Sequence, residues 1–461
     1  MSGFISLDRI SHQDGQLVYE FESNLPFFRK REFFIRYDRT RPGLNESVNA
    51  IPFAAVMAPV AWASGAELRI PLLDREFAQS LDRCRDRFRH WFSNRWSFGG
   101  RLKTSIVSNV RQTQGTAMLF SGGLDSMATY VRHRDEKPAL FTIFGADIPV
   151  AMTRFIDLCK AHLDAFAQKE GATLRYIQTD IRDILDFGRL KRFAPNWYGE
   201  VAHGLLMSSL IAPVGYDSYD RLLIASCSHR PGCGYACGSD AQLMREVRLA
   251  GMQVASDSDE LSRCRKIALY LKDHEDLHRY LRVCWMQFES LNCGRCEKCL
   301  RTICELLVNG IDPERCNFKM SARTLLDLKK KMISEYYLFL KGESTLDFWR
   351  DIQASIRPEQ IADDRYGSRE FFGWFAGFKK IQSRQNPALL HLAGMFLDVR
   401  AAGGRALTPV KGVLSGHRDP GFIVTSGQWK GVGRGGFSGW GGIRAAIRAT
   451  RPSSSPRCTS W

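Results

Sequence analysis

Two glycines stand between serine side chains in the stretch SGGLDS, residues 121–126. An apolar run, residues 116–120, precedes it, and apolar residues at helical spacing follow it. Gly122 and Gly123 allow backbone conformations that are closed to other residues, so a ligand can come close to the main chain. The first turn of a helix has unpaired N–H groups and favours an anion. This strand, loop and helix therefore predict a nucleotide phosphate site.

The polar side chains of the same loop predict chemistry on a nucleotide. Ser121 and Ser126 supply hydroxyl donors, and Asp125 is suited to hold a Mg²⁺ ion that neutralises phosphate charge. We predict these three residues as catalytic, and together with Gly122 and Gly123 as the ligands of the pyrophosphate of ATP. No lysine follows the glycines, so the loop is not of the Walker type. A structural turn is the alternative.

Four cysteines form a second cluster. Cys284, Cys293, Cys296 and Cys299 are separated by eight, two and two residues. Paired C-x-x-C spacings bring thiolates onto one tetrahedral Zn²⁺, and four thiolates leave no open position for a substrate. We therefore predict a structural zinc site that fixes the following helix to the nucleotide-binding part. Redox-active or packed thiols and an iron–sulfur cluster are the alternatives.

The order of these two motifs resembles that of the 7-cyano-7-deazaguanine synthase family. The loop is similar to the S-G-G-x-D-S loop of the ATP pyrophosphatases, and C-x8-C-x2-C-x2-C followed by LRT comes about 160 residues later. The resemblance covers residues 116–315. It implies a Rossmann-like α/β fold, bound zinc, and adenine beside Phe144 and Gly145 at the end of the second strand.

The same resemblance implies an ATP-dependent C–N ligase. Family members adenylate 7-carboxy-7-deazaguanine with ATP, convert it to the amide with ammonia, and dehydrate the amide to the nitrile in a second ATP-dependent step. Members with extra segments are associated with bacterial anti-phage operons and with the joining of a deazaguanine to a protein amine. Conjugation to a partner protein is therefore one alternative. ATP-dependent tRNA base modification and a nucleotide-binding scaffold without catalysis are the others.

The loop at residues 226–240 follows a predicted strand and should border the site. Within it we predict Ser239 and Asp240 as substrate contacts. We also predict that His203, in a helical stretch, contacts the substrate, with a packed core histidine as the alternative. Further alternatives for this loop are a second metal site formed by Cys227, His229, Cys233 and Cys237, or a nucleophilic thiol at Cys227 or Cys237. The remaining alternative is a Gly/Ser-rich substrate loop with incidental thiols.

Three cations and one acid are weaker candidates. Arg263, Lys266 and Arg301 either neutralise phosphate or carboxylate charge or are solvated. Asp147 follows the second predicted strand, and it is either a polar contact of the ligand or a turn residue.

The elements that must position these residues follow from hydrophobic periodicity. Four apolar runs, at residues 116–120, 138–145, 173–180 and 221–226, alternate with helical stretches and predict a parallel sheet. The domain scheme is an N-terminal α+β unit (1–115), the nucleotide domain with its zinc knuckle (116–315), a helical extension (316–402) and a disordered Gly/Arg-rich tail (403–461). In the N-terminal unit, residues 16–23 and 32–38 read as strands and residues 74–92 as a helix.

Composition narrows the compartment and the partners. The tail carries nine basic residues and one acid, Asp419, so its net charge of +8 is half of the formal net charge of +16. Nucleic acid is therefore a possible but not favoured partner. Thirteen cysteines and the early charges Asp8 and Arg9 favour a cytoplasmic location, and we expect no membrane span. The remaining partners expected are a small deazapurine, ammonia, an acceptor protein and a second copy in a homodimer.

Overall fold

The computed structural model describes residues 3–109, 113–226, 236–284, 290–334 and 343–378. The predicted Gly/Arg-rich tail and residues 227–235, with the candidates Cys227, His229 and Cys233, lie outside the described residues.

Eleven strands of the described residues form one mixed sheet, in the order β10-β11-β9-β6-β7-β8-β3-β2-β1-β4-β5. The strands are β1 (Phe4–Gln13), β2 (Gln16–Ser23), β3 (Glu32–Asp38), β4 (Glu67–Asp74), β5 (Leu102–Val107), β6 (Thr116–Leu119), β7 (Ala139–Phe144), β8 (Leu174–Thr179), β9 (Arg221–Ala225), β10 (Arg248–Leu249) and β11 (Met252–Asp257).

The helices lie between and after the strands. They are α1 (Glu46–Asn49), α2 (Ile51–Ser64), α3 (Arg75–Phe92), α4 (Leu124–Arg132), α5 (Thr153–Glu170), α6 (Phe187–Leu190), α7 (His203–Ser209), α8 (Ala212–Gly215), α9 (Ala241–Arg245), α10 (Arg263–Lys266), α11 (Glu275–His278), α12 (Glu297–Leu307), α13 (Thr324–Ser334), α14 (Glu343–Ala354), α15 (Pro358–Ala362) and α16 (Ser368–Ala376). Two π-helical turns (Tyr198–Ala202, Ile267–Leu271) and three 3₁₀ turns (Arg134–Glu136, Pro313–Cys316, Arg365–Gly367) complete the set in these residues.

The strands β11, β9, β6, β7 and β8 are all parallel to one another. The chain starts at the central strand β6, moves outward through β7 and β8, and then returns to β9 and β11 on the other side. The strand order therefore reverses between β6 and β9, which is where open α/β sheets bind ligands. The prediction of an α/β protein with a large, mostly parallel sheet is confirmed, and the four predicted strands correspond to β6, β7, β8 and β9.

The strands of residues 3–109 do not form a sheet of their own, although the sequence favours a separate unit. Strand β3 pairs antiparallel with β8, in register Ile35↔Thr179 and Tyr37↔Ile177. This pairing covers the edge that β8 would otherwise expose. The predicted strands and helix of this region are present as β2, β3 and α3. The domain boundaries at residues 115, 315 and 402 remain predictions.

Apolar clusters cover both faces of the sheet. Alternate residues of β6 point to opposite faces: Ala117 and Leu119 join the cluster that contains α2 and α7, and Met118 joins the cluster that contains α5 and α12. Burial on both faces explains why the strand reads as a continuous apolar run. The described part of the extension contains the helices α13 to α16, and its buried residues Trp349 and Phe375 belong to the second cluster. Among the described helices, none is both long and apolar enough to cross a bilayer.

Candidate functional site

A cavity of about 180 Å³ opens at the carboxyl ends of β6 and β7. Its wall includes the loop after β6, the end of β7, the start of α7 and the start of α12. The polar lining residues come from these elements, from α10 and from the segment after α11: Ser121, Asp125, Ser126, Thr142, Asp147, His203, Arg263, Arg282, Lys298 and Thr302. Because β6 is the strand at which the sheet order reverses, the cavity lies where the topology favours ligand binding.

The loop of residues 121–126 is held by its own hydroxyl groups. The Oγ atoms of Ser121 and Ser126 lie 3.2 Å apart, and the N–H of Gly123 donates to Ser121 Oγ at 3.2 Å. Gly122 adopts a left-handed conformation with φ of +70°. Helix α4 then begins at Leu124 with no side-chain cap, so its first N–H groups are not used by a capping side chain. The predicted phosphate loop therefore has the strand, turn and helix start that anion binding requires.

Asp125, the acid of this loop, forms ion pairs with two cations. The Arg263 guanidinium reaches it with distances of 2.5 Å to Oδ2 and 3.2 Å to Oδ1, and Lys266 Nζ lies 3.4 Å from Oδ1. Burial alone would raise the pKa of Asp125, but the charges of Arg263 and Lys266 hold that pKa well below its usual range. Of the three weaker candidate cations, two thus meet the predicted loop in the folded chain.

Helix α4, which carries this loop, is anchored to the end of β11 by Asp257. The carboxylate of Asp257 accepts hydrogen bonds from Thr129 Oγ1 at 2.8 Å and from Ser258 Oγ at 2.6 Å, and it contacts His133 Nε2 at 2.9 Å. Burial acts to raise the pKa of Asp257, but these hydrogen bonds outweigh burial and lower it. No sequence motif marked this residue, because its partners on α4 and just after it, Thr129 and His133, lie more than a hundred positions away.

Arg282 is a cavity residue that the sequence analysis missed. Its backbone N–H donates to the carbonyl of Gly122 at 2.7 Å, and its Nη1 donates to the carbonyl of Ser121 at 3.1 Å. Only 8% of the residue is exposed, and its Nε has no hydrogen-bond partner in the described part of the chain. The side chain therefore fixes a positive charge against the predicted phosphate loop.

The far end of the cavity lies beside β7. Phe144 lines the cavity, and Gly145 turns the chain at φ of +100°. A Cβ atom at Gly145 would lie 1.6 Å from the carbonyl oxygen of Thr179, so no other residue fits there without a shift of the backbone. Gly145 is not one of the residues that form the described cavity wall, and its proximity to a base remains a prediction.

A polar group, Asp147, accompanies this part of the cavity. Asp147 accepts a hydrogen bond from the Tyr198 hydroxyl at 3.1 Å, and the Arg182 guanidinium lies 3.9 Å from the centre of the Tyr198 ring. Burial alone would raise the pKa of Asp147, but nearby His203 and Lys298 lower it, so the group is anionic. Burial lowers the pKa of His203, whose Nδ1 has no hydrogen-bond partner among the described residues. The structure thus brings the predicted residue His203 to the cavity together with Asp147.

The four cysteines meet in one cluster. The sulfur atoms of Cys284, Cys293, Cys296 and Cys299 all lie within 4.8 Å of one another, and the Cys293 and Cys299 sulfurs are 3.8 Å apart. Four Zn–S bonds of about 2.3 Å in a tetrahedron require sulfur atoms about 3.8 Å apart, so the cluster fits zinc. Gly294, at φ of +65°, makes the tight turn between two of the ligands. The cluster could therefore hold a metal such as zinc.

Backbone N–H groups in the cluster point at sulfur. The N–H of Cys296 lies 3.3 Å from Cys293 Sγ, and the N–H of Cys299 lies 3.4 Å from Cys296 Sγ. Such donors stabilise the thiolate form that a metal ligand requires.

Helix α12 starts in this cluster and presents different residues on different sides. Cys296 and Cys299 contribute sulfur atoms, whereas Lys298 and Thr302, four residues apart, line the cavity. Glu297, which lies between Cys296 and Lys298, forms an ion pair with Arg301 at 2.9 Å and accepts a hydrogen bond from Trp349 Nε1 of α14 at 3.0 Å. The cysteine cluster, the cavity and the C-terminal extension therefore meet at one helical turn.

The extension reaches the predicted phosphate loop through Phe348 of α14. The Phe348 ring contacts two guanidinium groups, with Arg263 Cζ at 4.5 Å and Arg301 Cζ at 4.1 Å from its centre. The backbone N–H of Cys264 also donates to Asp351 at 3.2 Å. These contacts give the helical extension a structural role beside the residue that binds Asp125.

The remaining predicted substrate contacts occupy a neighbouring position. Asp240 caps α9 by accepting from the N–H groups of Gln242 and Leu243 at 3.0 and 3.2 Å. Ser239 lies 3.7 Å from Cys237 Sγ. Neither Ser239 nor Asp240 belongs to the described wall of the cavity, but the preceding Gly238 accepts the N–H of Gly204 beside His203 at 2.9 Å. In the described parts of the chain, the four-cysteine cluster is the single group with metal-site geometry.

Comparison of the chain with protein-family models, with curated proteins and with solved structures finds no match in any of the three.

Proposed function

We propose that this protein uses ATP to adenylate a deazapurine carboxylate, similar to 7-carboxy-7-deazaguanine, and transfers the activated acyl group to nitrogen. The observation that carries this proposal is the meeting of two motifs in one cavity. The SGGLDS loop after β6 and the start of α12, which emerges from the four-cysteine cluster, both line it. The proposed fold is accordingly of the Rossmann-like ATP pyrophosphatase type, and the proposed location is the cytoplasm.

The chain's own residues would hold the pyrophosphate of ATP. The N–H groups of Gly123 and of the first turn of α4, with the hydroxyls of Ser121 and Ser126, are suited to bind phosphate oxygens. Arg282, fastened to the same loop, adds positive charge. Asp125 would hold Mg²⁺, which neutralises phosphate charge, while Arg263 and Lys266 transfer their contacts from Asp125 to the phosphates.

The proposed reaction balances without a redox partner. The substrate carboxylate attacks the α-phosphorus of ATP, the bond to the β-phosphate oxygen breaks, and pyrophosphate leaves with that electron pair. Ammonia then attacks the acyl carbon, AMP leaves, and a proton is released to give the amide. A second ATP adenylates the amide oxygen, and loss of AMP and of the nitrogen's protons gives the nitrile. Positioning and electrostatics would supply most of the rate enhancement.

The four cysteines would hold zinc in a structural role. With four sulfur ligands the metal has no open position, so it would bind no substrate and would fix the start of α12.

Conjugation to a protein amine is a second candidate for the transfer step. The observation that favours it is the integration of the extra segments: β3 extends the central sheet, and Phe348 of the extension contacts Arg263. Segments that reach the site in this way could present a protein amine instead of free ammonia.

The experiment that tests these proposals uses the purified, zinc-replete full chain with Mg-ATP and 7-carboxy-7-deazaguanine, with and without ammonium. AMP, pyrophosphate and the base are followed by mass spectrometry, and Asp125→Asn is the inactive control. Amide or nitrile formation supports the synthase reaction, whereas AMP release that stops at the adenylate supports a protein acceptor. Absence of AMP with bound ATP supports a scaffold, and salt-sensitive tRNA binding without base turnover supports tRNA modification.

A further inference from the structure

We propose that Lys298 is a ligand-binding residue of the cavity, and that the four-cysteine cluster exists in part to place it there. The inference deepens the proposed function and rests on it. The ligand group that Lys298 binds is an anionic oxygen, either from the phosphates of the nucleotide or from the carboxylate of the second substrate.

The cavity contains two acids, and other residues already pair with both. Asp125 is paired with Arg263 and Lys266, and Asp147 accepts from Tyr198. Lys298 lines the same cavity, but within the described residues its ammonium forms no hydrogen bond and no ion pair. Asp125 and Asp147 influence Lys298 only from beyond ion-pair distance, and a cation in a cavity without a direct partner costs free energy that a directly bound anionic ligand would recover. Lys298 therefore marks a place for an anion that the protein itself does not supply.

The position of Lys298 follows from the cysteine spacing. It lies between Cys296 and Cys299, two residues whose sulfur atoms belong to the cluster. Cys296 is also the N-cap of α12, so the helix begins at the cluster. A lysine side chain has about 2 kcal/mol of rotamer entropy to lose on binding, and a fixed backbone on both sides reduces the motion that remains to be ordered. The cluster thus orients a binding cation as well as stabilising the fold.

Arg282, which lines the same cavity from a different part of the chain, supports the same assignment. The nearly buried guanidinium of Arg282 donates to the carbonyl of Ser121, and it forms no ion pair with an acid of the described residues. Two cations from different elements, Arg282 and Lys298, therefore line one cavity without a direct ion pair to a carboxylate of the described residues.

The test measures binding by calorimetry for the wild type, Lys298→Met, Lys298→Arg and the control Lys319→Met. Lys319 is an exposed lysine near the same cluster that does not line the cavity. The probes are Mg²⁺ with α,β-methylene-ATP, and 7-carboxy-7-deazaguanine added to the nucleotide-bound protein. Zinc content and melting temperature are recorded for each variant, so that loss of the metal site is distinguished from loss of the ammonium.

We expect Lys298→Met to lower the affinity for one of the two probes by about 10- to 100-fold at unchanged zinc content. The affinities of Lys298→Arg and Lys319→Met should be close to those of the wild type. Weaker binding of the nucleotide analogue identifies phosphate as the partner of Lys298, and weaker binding of 7-carboxy-7-deazaguanine identifies the carboxylate. Wild-type affinity of Lys298→Met for both probes would overturn this inference alone. If the wild type binds neither probe, the proposed function fails and this inference fails with it.

Discussion

Arg263 and Asp125 form a two-point ion pair between residues 138 positions apart in the sequence. The pair joins the loop after β6 to α10, and both side chains are largely buried, with 6% and 15% of their surfaces exposed. Because water screens a buried charge pair only weakly, the loss of either charge affects both the free energy of unfolding and ligand binding.

Replacing Asp125 with Asn removes the negative charge that Arg263 and Lys266 share. Because two buried cations then lack their counter-charge, we expect the free energy of unfolding to fall by about 3 kcal/mol and ATP turnover to be lost. Urea unfolding and AMP release measure the two effects. Asp157→Asn, at an exposed acid of α5, is the control and should match the wild type. An Asp125→Asn variant as stable as the wild type would contradict the energetic role of the pair.

Asp257 should make stability depend on pH in the acid range. Its pKa in the folded chain is lowered below the unfolded value, so its contribution is present above that value and is lost as pH falls through the folded pKa. We expect the difference in unfolding free energy between the wild type and Asp257→Asn to be constant at pH 5–7 and to shrink below about pH 4. Denaturant unfolding at each pH provides the measurement. A difference that stays constant down to pH 3 would show that the carboxylate is not stabilised in this way.

Phe348 should act on the site through Arg263. Replacement by Leu removes the ring that contacts Arg263 and Arg301, which we expect to cost about 1–2 kcal/mol of stability and to weaken binding of Mg²⁺ with α,β-methylene-ATP several-fold. Phe4→Leu is a matched control, because Arg69 contacts the Phe4 ring in the same way, at 4.8 Å, in a different part of the sheet. Equal nucleotide affinity in the two variants would argue against a link between the extension and the loop.

The cysteine cluster should bind one metal ion per chain. We expect a chelator to release about one zinc per chain, to lower the melting temperature and to make the four thiols reactive toward a thiol reagent. Elemental analysis and thiol titration measure these effects. Cys293→Ser should lose zinc, whereas Cys84→Ser, at a buried thiol of α3 outside the cluster, should retain it. Iron in place of zinc would identify the cluster as the alternative that the spacing leaves open.

Gly145 should tolerate no side chain. We expect Gly145→Ala to lower the free energy of unfolding by at least about 2 kcal/mol, because the strained φ and the contact with the Thr179 carbonyl act together. Gly171→Ala separates the two effects, since Gly171 also has a positive φ, +62°, but open space where a Cβ would lie. Thermal or urea unfolding compares them. Equal losses in the two variants would mean that the close approach to Thr179 costs nothing.

The sequence alone determined the features that depend on neighbouring residues. The loop of residues 121–126, the four strands around it and the spacing that gathers Cys293, Cys296 and Cys299 are all local patterns, because a turn, a strand or a C-x-x-C knuckle is built within a few positions. These patterns predicted the parallel sheet and the four-cysteine cluster, and both are present.

Only the tertiary structure decided which distant groups contact the phosphate loop and the cysteine cluster. The pairing of β3 with β8, the placement of Arg263 on Asp125, and the presence of Arg282 and Lys298 in the cavity depend on contacts across more than a hundred positions or on which side of a helix faces the sheet. Such contacts are fixed by the packing of whole elements against each other. The sequence therefore does not distinguish a cation that pairs with a buried acid from a cation that is solvated, because the difference depends on that packing.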